Sequence, residues 1–254
     1  MKIAACYKIV PDMETVSVKA DRTLDMKSVN YEIGSYDLRA VEEANKVAAA
    51  AGGEAIAITM GGEIVSNSKM KKAILSRGPS KMYGAQDPSY ETADTNQTAK
   101  VLKAMVEKIG DVELVLCGEG SGDQYNMQVG NVLGGMLGWV TVNSVSKIEY
   151  DGGKLKLERA VEDGVEVFEA PLPAVISVTS DINVPRIPSM KDILGAGKKP
   201  AEIWKASDLA CDAAAASDVK GVLAPLQKER LKKVIAAADE AGVAAFIDQI
   251  RKAL

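Results

Sequence analysis

The chain has 254 residues, of which 47 % are hydrophobic and 26 % are charged, and its formal net charge is −4. It contains no histidine, which excludes Ser-His-Asp and Cys-His catalysis and every metal site that uses an imidazole. The three cysteines, Cys6, Cys117 and Cys211, form no CxxC pair, which excludes a cysteine-only metal or iron–sulfur site. The few large aromatic residues and the negative charge argue against nucleic-acid binding.

Strands and helices are expected to alternate through the first half of the chain. Hydrophobic runs bounded by turn residues predict strands over residues 2–10, 54–60, 81–85 and 111–117. Apolar residues at helical spacing predict helices over residues 37–51, 94–109 and 127–137, with a lysine-rich helix ending at Ser76. This alternation indicates βαβ crossovers and a parallel sheet.

The second half of the chain has shorter turns between its predicted strands. Residues 140–149, 154–160, 164–169 and 174–179 resemble antiparallel strands that extend the sheet. Residues 181–200, rich in proline and glycine, are expected to be irregular, and residues 226–254 to contain a final helix. We therefore expect an α/β fold with a mostly parallel, doubly wound sheet over residues 1–204, and a C-terminal arm and helix over residues 205–254.

The sequence also indicates a compartment. The first residues lack a signal-peptide pattern, and no stretch approaches the roughly 20 apolar residues that span a bilayer. Unpaired cysteines with apolar neighbours suit a reducing environment. We expect a cytoplasmic protein.

The strongest local motif is a glycine-rich turn between a predicted strand and a predicted helix, over residues 118–130. Backbone N–H groups at such a turn favour anion binding. The dinucleotide pattern GxGxxG fails at Asp123, and a Walker Gly-Lys-Ser/Thr is absent. Because this loop contains no lysine or arginine, phosphate would be contacted mainly by backbone amides, with help from Ser121 and Gln128. The alternative is an ordinary tight turn without a ligand.

Two further junctions, residues 6–12 and 59–62, follow predicted strands and would line the same crevice if the strand order reverses there. Gly61-Gly62 could equally be only a turn. Residues 182–200 are too apolar for a free loop and suit docking on a protein partner, or else they cover the domain's own core. The amphipathic final helix packs back on the domain or wraps a partner subunit.

Several motifs, in one order along the chain, resemble the small (beta) subunit of electron transfer flavoproteins. They are Tyr-Lys-Ile-Val-Pro-Asp at 7–12, Tyr-Asp-Leu-Arg-Ala-Val-Glu-Glu-Ala at 36–44, Gln-Val-Gly at 128–130 with Asp123, Leu-Pro-Ala-Val at 172–175, Pro-Arg at 185–186 and Lys-Lys-Pro at 198–200. The similarity runs from residue 1 to about 205. Ser-Arg-Gly-Pro79 and Ile-Pro-Ser-Met-Lys191 look most like the anaerobic branch linked to carnitine and acyl-CoA reduction.

The resemblance implies an electron carrier without substrate turnover of its own, on a fold like that of the adenine nucleotide alpha hydrolases. It implies a heterodimer with a larger alpha subunit, an FAD shared with or held by alpha, and AMP or a second FAD in this chain. By position, it assigns nucleotide contacts to Cys6, Gly34, Ser35, Tyr36, Asp37, Thr59, Gly118, Gly120, Ser121, Gly122, Asp123, Gln124, Tyr125, Asn126, Met127, Gln128, Val129 and Gly130. Within a recognition loop over residues 183–199, it assigns docking of an acyl-CoA dehydrogenase or reductase to Arg186, Ile187, Met190, Ile193 and Leu194.

The sequence departs from the family pattern at Gly34-Ser35, where Asn-Pro is usual, and at Glu119 and Tyr125. These departures leave open whether the nucleotide is AMP or FAD. A different class of function is a stand-alone adenine-nucleotide-binding or ATP-hydrolysing protein of the universal-stress-like fold. Such a protein needs a basic residue for the γ-phosphate, which the loop over residues 118–130 lacks.

Overall fold

The computed structural model describes residues 1–226, 232, 234 and 239–253. Thirteen strands are described: β1 Lys2–Cys6, β2 Ile9–Pro11, β3 Ser17–Val18, β4 Leu24–Asp25, β5 Tyr31–Ile33, β6 Glu54–Gly61, β7 Lys81–Gln86, β8 Val112–Gly118, β9 Val140–Asp151, β10 Lys154–Val161, β11 Gly164–Pro171, β12 Ala174–Val178 and β13 Ala201–Lys205. The described α-helices are α1 Ser35–Ala50, α2 Ser68–Leu75, α3 Thr95–Ile109, α4 Val129–Leu137, α5 Met190–Ala196 and α6 Glu240–Ala253.

Nine strands form the central sheet, in the order β11-β10-β9-β12-β8-β1-β6-β7-β13. The seven strands from β9 to β13 in that order pair in parallel, and β10 and β11 add an antiparallel extension. The expected fold class, a mostly parallel doubly wound sheet with an antiparallel extension, is confirmed.

The expectation for residues 174–179 was wrong in direction. They form β12, which lies between β8 and β9 and pairs in parallel with both, Val175 standing opposite Val115 and Thr141. All five residues of β12 are buried. A continuous apolar run is typical of a parallel strand covered on both faces, whereas a half-exposed antiparallel strand alternates polar and apolar residues.

Two layers of helices cover the sheet, and alternate strand residues face each layer. Ala5 and Leu116 point into a core shared with α1 and α2. Their neighbours Cys6 and Cys117 point to the opposite face, into a core shared with α3 and α4. The helices therefore change face between β7 and β8, where the chain returns to the other side of β1.

Two elements lie in or beside a region expected to be irregular. Helix α5 begins after Ser189, whose side chain forms a reciprocal capping box with Asp192. Strand β13 adds to the sheet edge beside β7, and Trp204 on it is buried. After β13 the arm follows α3, because Asp94 accepts hydrogen bonds from the backbone N–H groups of Ala216 and Ser217, both at 2.7 Å.

The final helix begins later than expected where the structure describes it. Leu226, Lys232 and Val234 are not helical, and α6 begins at Glu240. The rest of the predicted stretch, residues 227–231, 233, 235–238 and 254, lies outside the described residues. Among the described helices, none combines the length and apolar character needed to cross a membrane.

Candidate functional site

The candidate site lies at the carboxyl edge of the sheet, between β1 and β8. From β1 the chain builds β6 and β7 on one side and then crosses to β8 on the other. Such a reversal leaves a crevice beyond the strand ends, where ligands of open α/β sheets bind. A cavity of about 590 Å³ occupies this place, and we call it the switch-point cavity.

One wall of the switch-point cavity is the segment between β8 and α4. Gly118 ends β8 so close to α1 that a Cβ there would stand 2.7 Å from Asp37 Oδ1 and 2.8 Å from the Tyr36 carbonyl carbon. Only glycine allows this approach. The Glu119 N–H donates to the Val178 carbonyl oxygen at 3.0 Å, which fixes the start of the loop to β12.

An ion pair joins this loop to the end of β1. Lys8 Nζ donates to both carboxylate oxygens of Asp123, at 2.9 and 2.6 Å. Burial would raise the pKa of Asp123, but the hydrogen bonds from Lys8 and Ser121 outweigh it and hold that pKa below its ordinary value. Lys8 therefore places a positive charge on the cavity wall, although it lies outside the loop over residues 118–130.

Asp37 stands at the start of α1 and also lines the cavity. Its Oδ2 accepts the Lys8 backbone N–H at 2.8 Å. Burial raises the pKa of Asp37 to about 7, although backbone hydrogen bonds from Lys8 and Gly118 act to lower it. This carboxyl therefore exchanges its proton near neutral pH at the base of the cavity.

Cys6 and Cys117 lie side by side on the cavity wall, at the ends of β1 and β8. Both are buried. A hydrogen bond with the Cys117 thiol and burial raise the pKa of Cys6 well above its ordinary value. Cys6 is therefore a neutral thiol at physiological pH and lacks the thiolate character of a nucleophile.

The opposite wall of the cavity comes from the segment between β7 and α3 and from the first turn of α3, where no site residue was expected. Tyr90, Thr95 and Thr98 line it. The hydroxyls of Tyr7 and Tyr90 are buried, and neither finds a hydrogen-bond partner in the part of the chain that the structure describes. A buried hydroxyl without a partner is costly, so these two hydroxyls are polar groups that the described residues leave unsatisfied beside the cavity.

The structure brings most of the predicted nucleotide contacts to this cavity. Those that line it are Cys6, Asp37, Gly118, Gly120, Ser121, Asp123, Gln124, Asn126, Met127, Gln128 and Val129. Gly34, Ser35, Tyr36, Thr59, Gly122, Tyr125 and Gly130 are not on its wall.

Three of the residues that do not line the cavity, Thr59, Tyr36 and Tyr125, contact residues or segments that do. The hydroxyl of Thr59 donates to the Tyr7 carbonyl oxygen at 2.6 Å, inside the sheet. Tyr36 packs against Tyr125 with ring centroids 5.3 Å apart, which joins the start of α1 to the loop after β8. In this structure these side chains therefore support the cavity wall.

The predicted docking residues lie on a separate surface formed by residues 183–199. Ile187, Met190, Ile193 and Leu194 are all exposed. Arg186 differs from them, because its guanidinium is bound by Glu42 of α1. These four apolar side chains therefore face solvent, whereas Ala196 of the same segment is buried in the core.

The chain also matches a known protein family. The family model described as the electron transfer flavoprotein domain matches residues 21–209. The match includes α1, the loop over residues 118–130 and the exposed segment over residues 183–199.

Proposed function

Because this chain belongs to the electron transfer flavoprotein family, we propose that it is the small subunit of a heterodimeric electron carrier. In this proposal it binds an adenine nucleotide in the switch-point cavity, joins a larger flavin-bearing alpha subunit, and docks redox partners of the acyl-CoA dehydrogenase type. Its closest functional setting would be the anaerobic branch that the motifs resemble. Its three free cysteines suit the reducing cytoplasm in which we propose it acts.

The observation that carries the nucleotide proposal is the switch-point cavity itself. Its volume of about 590 Å³ is within the range of cofactor sites, and its wall combines apolar side chains with charged and polar groups. In this proposal the unpartnered hydroxyls of Tyr7 and Tyr90 turn towards the cavity when the nucleotide binds and form hydrogen bonds with the nucleoside. The residues present therefore fit AMP, or the AMP half of FAD.

The phosphate would lie at the loop between β8 and α4. Gly118, Gly120 and Ser121 line the cavity there, and α4 begins at Val129 with its unpaired first-turn N–H groups. Lys8 Nζ adds one positive charge, now balanced by Asp123. In this proposal Lys8 turns from Asp123 to the phosphate when the nucleotide binds.

In the proposed complex the flavin supplies the redox chemistry when bound, and this chain supplies position and surroundings. The buried side chains of Cys6 and Cys117 contribute apolar surface to the cavity wall, and its raised pKa keeps the Cys6 thiol neutral. Asp37 can hold a proton at neutral pH, which limits the negative charge near a bound phosphate.

The experiment for the nucleotide is to denature the purified heterodimer and identify the released nucleotides by mass and absorbance. AMP with one FAD per heterodimer would support a simple carrier, and two FAD would support a carrier able to split electron pairs. Release of no adenine nucleotide from this chain would refute the nucleotide proposal. A measurable ATPase rate of the chain alone would favour the universal-stress-like alternative.

The docking proposal is tested with Met190→Asp, which places a charge on the exposed apolar surface. We expect slower electron transfer from an acyl-CoA dehydrogenase through a higher KM for that partner, with the bound nucleotide unchanged. Met13→Asp is the matched control, because Met13 is also exposed but lies on the turn after β2. Equal effects of the two substitutions would contradict docking at residues 183–199.

A further inference from the structure

The segment over residues 183–199, which we call the docking segment, is held in an unusual way for an apolar surface. Ile187 is 94 % exposed, and Met190 and Leu194 are each 72 % exposed. Apolar side chains in a free segment would reduce this exposure by folding onto the domain. Something must therefore hold the backbone of the docking segment in place.

Glu42 of α1 is the first anchor. Its carboxylate accepts hydrogen bonds from Arg186 at three nitrogens: Nε at 2.7 Å, Nη2 at 3.1 Å and the backbone N at 3.2 Å. Burial would raise the pKa of Glu42, but these hydrogen bonds outweigh it and hold that pKa below its ordinary value. A two-nitrogen guanidinium contact fixes direction as well as distance.

The neighbouring Glu43 extends this anchor. Asn183 Nδ2 donates to Glu43 Oε2 and to the Arg39 carbonyl oxygen, both at 3.0 Å. Glu43 is buried and also pairs with Lys46 at 3.3 Å. Asn183 and Arg186, at the start of the docking segment, are therefore both bound to one side of α1.

Lys199 is the anchor at the other end of the docking segment. Its Nζ donates to the carbonyl oxygens of Leu75 at 2.8 Å, Gly78 at 3.1 Å and Pro79 at 2.8 Å, where α2 ends. Between the two anchors, the capping box of Ser189 and Asp192 starts α5. The apolar side chains thus stand on a short helix whose two flanks are both fixed to the domain.

Helix α1 connects this surface to the switch-point cavity. Asp37, in its first turn, lines the cavity, and Glu42 follows five residues later, a rise of roughly 7.5 Å along one helix. A partner that seats on the docking segment is thereby held at a fixed place relative to the cavity. Electron transfer and docking both depend on such placement.

We propose that Glu42 is a positioning residue, which holds the docking segment in one conformation through Arg186 and so lowers the KM for the redox partner. This inference rests on the proposed docking function. Glu42 itself need not contact the partner, because its carboxylate is already hydrogen-bonded to Arg186. The guanidinium of Arg186 likewise serves the segment's conformation before any contact it makes with a partner.

The test uses the holo-heterodimer with Glu42→Gln, which keeps the shape of the side chain but removes the charge-assisted contacts. We expect backbone amides of residues 186–196 to exchange hydrogen about tenfold faster, since one charged hydrogen-bond contact is lost. The KM for an acyl-CoA dehydrogenase should rise about fivefold to tenfold, with kcat and nucleotide content unchanged. Glu169→Gln is the control, because Glu169 pairs with Lys154 at 3.0 Å on the exposed sheet extension.

Arg186→Lys is the second variant and protects the test against a folding failure. It keeps the positive charge but offers one donor in place of the planar two-nitrogen contact, so its amide exchange and KM should fall between wild type and Glu42→Gln. Exchange within twofold of wild type in both variants would overturn the inference, as would a fall in kcat at unchanged KM.

Met190→Asp separates this inference from the docking function on which it rests. It should raise KM without changing amide exchange, because Met190 makes none of the anchoring contacts. If exchange rises in Glu42→Gln but neither substitution changes electron transfer, the docking function is wrong, and Glu42 holds the segment for no docking purpose. If Met190→Asp raises KM and Glu42→Gln does not, docking stands and the positioning role is overturned.

Discussion

Replacing Asp37 with asparagine tests the electrostatics at the base of the switch-point cavity. The carboxyl is buried, it accepts the Lys8 backbone N–H at 2.8 Å, and its pKa is raised to about 7. Asparagine has nearly the same shape and carries no charge at any pH. The difference in unfolding free energy between wild type and Asp37→Asn therefore isolates the ionisation of this one group.

The direction in which stability changes with pH follows from how many protons the folded and the unfolded protein bind. Between pH 4 and 7 the folded protein keeps the Asp37 proton that the unfolded chain has released, so wild-type stability falls as pH rises. With a pKa of 3.8 in the unfolded chain and about 7 in the folded protein, and about 1.4 kcal/mol for each pH unit, the total change is about 4 kcal/mol. Wild type should therefore lose up to that amount relative to Asp37→Asn between pH 4 and pH 8.

The assay is urea unfolding of both proteins at closely spaced pH values, followed by the difference in free energy of unfolding. Asp94→Asn is the control of opposite sign, because the N-cap hydrogen bond from the Gln97 N–H lowers the pKa of Asp94. Its wild-type carboxylate stabilises the fold above the unfolded pKa, and that contribution is lost as pH falls through the folded pKa. A wild-type minus Asp37→Asn difference that is constant within about 0.5 kcal/mol from pH 4 to 8 would refute the assigned burial effect.

Two further substitutions test the cavity wall. Lys8→Met should weaken binding of the proposed nucleotide at least tenfold, because it removes the cavity cation and leaves the Asp123 carboxylate facing the phosphate; equilibrium dialysis against AMP measures this, with Lys19→Met as an exposed control. Gly130→Ala should destabilise the fold by about 1–3 kcal/mol in urea unfolding, because the new methyl group would overlap the Ser177 hydroxyl, and Ser177→Ala in the same chain should restore most of the loss. An unchanged or increased stability of Gly130→Ala alone, as helix propensity favours, would contradict the packing argument.

The core of the fold could be predicted because its periodicity is local. Helices α1 to α4 and strands β1, β6, β7 and β8 each carry their own pattern of apolar residues and their own stop signals, such as Gly52-Gly53 after α1. The expected single strand over residues 2–10 is instead two strands, β1 and β2, which belong to different sheets, and the short strands β3 to β5 carry no pattern that predicts them. No comparable local pattern in the sequence tells whether a strand pairs in parallel or antiparallel with its neighbours. The antiparallel direction expected for residues 174–179 is wrong because it follows the antiparallel segments before them in the chain, whereas the all-buried pattern of β12 is that of an inner parallel strand.

The elements after residue 180 were missed for a different reason. Helix α5 has only seven residues, too few for a helical period to appear in the sequence. Ser189 and Asp192 have the spacing of a capping box, which was the available local signal. Strand β13 is specified by pairing with β7, which lies more than a hundred residues earlier, so its place depends on tertiary contact.

The family resemblance is confirmed, while the subunit, the branch, the nucleotide contacts and the domain boundary at residue 204 stay predictions. Some residues of the cavity wall come together only in the folded chain. Lys8 belongs to a matched motif, yet its contact with Asp123 spans 115 residues of sequence and appears only when β1 and β8 are neighbours. Tyr90 and Thr95 could have been found from the rule that every βα junction of a parallel sheet opens at the same edge.

The charges on the cavity wall indicate how a nucleotide would be recognised there. One lysine, Lys8, faces the four carboxyls of Asp37, Glu91, Glu119 and Asp123 among the described lining residues. A phosphate can enter such a site only if backbone N–H groups carry much of its charge and Asp37 keeps its proton. Most of the binding free energy must then come from contacts of the base and ribose with the apolar side chains of the wall, which makes the proposed site one that selects the nucleoside before the phosphate.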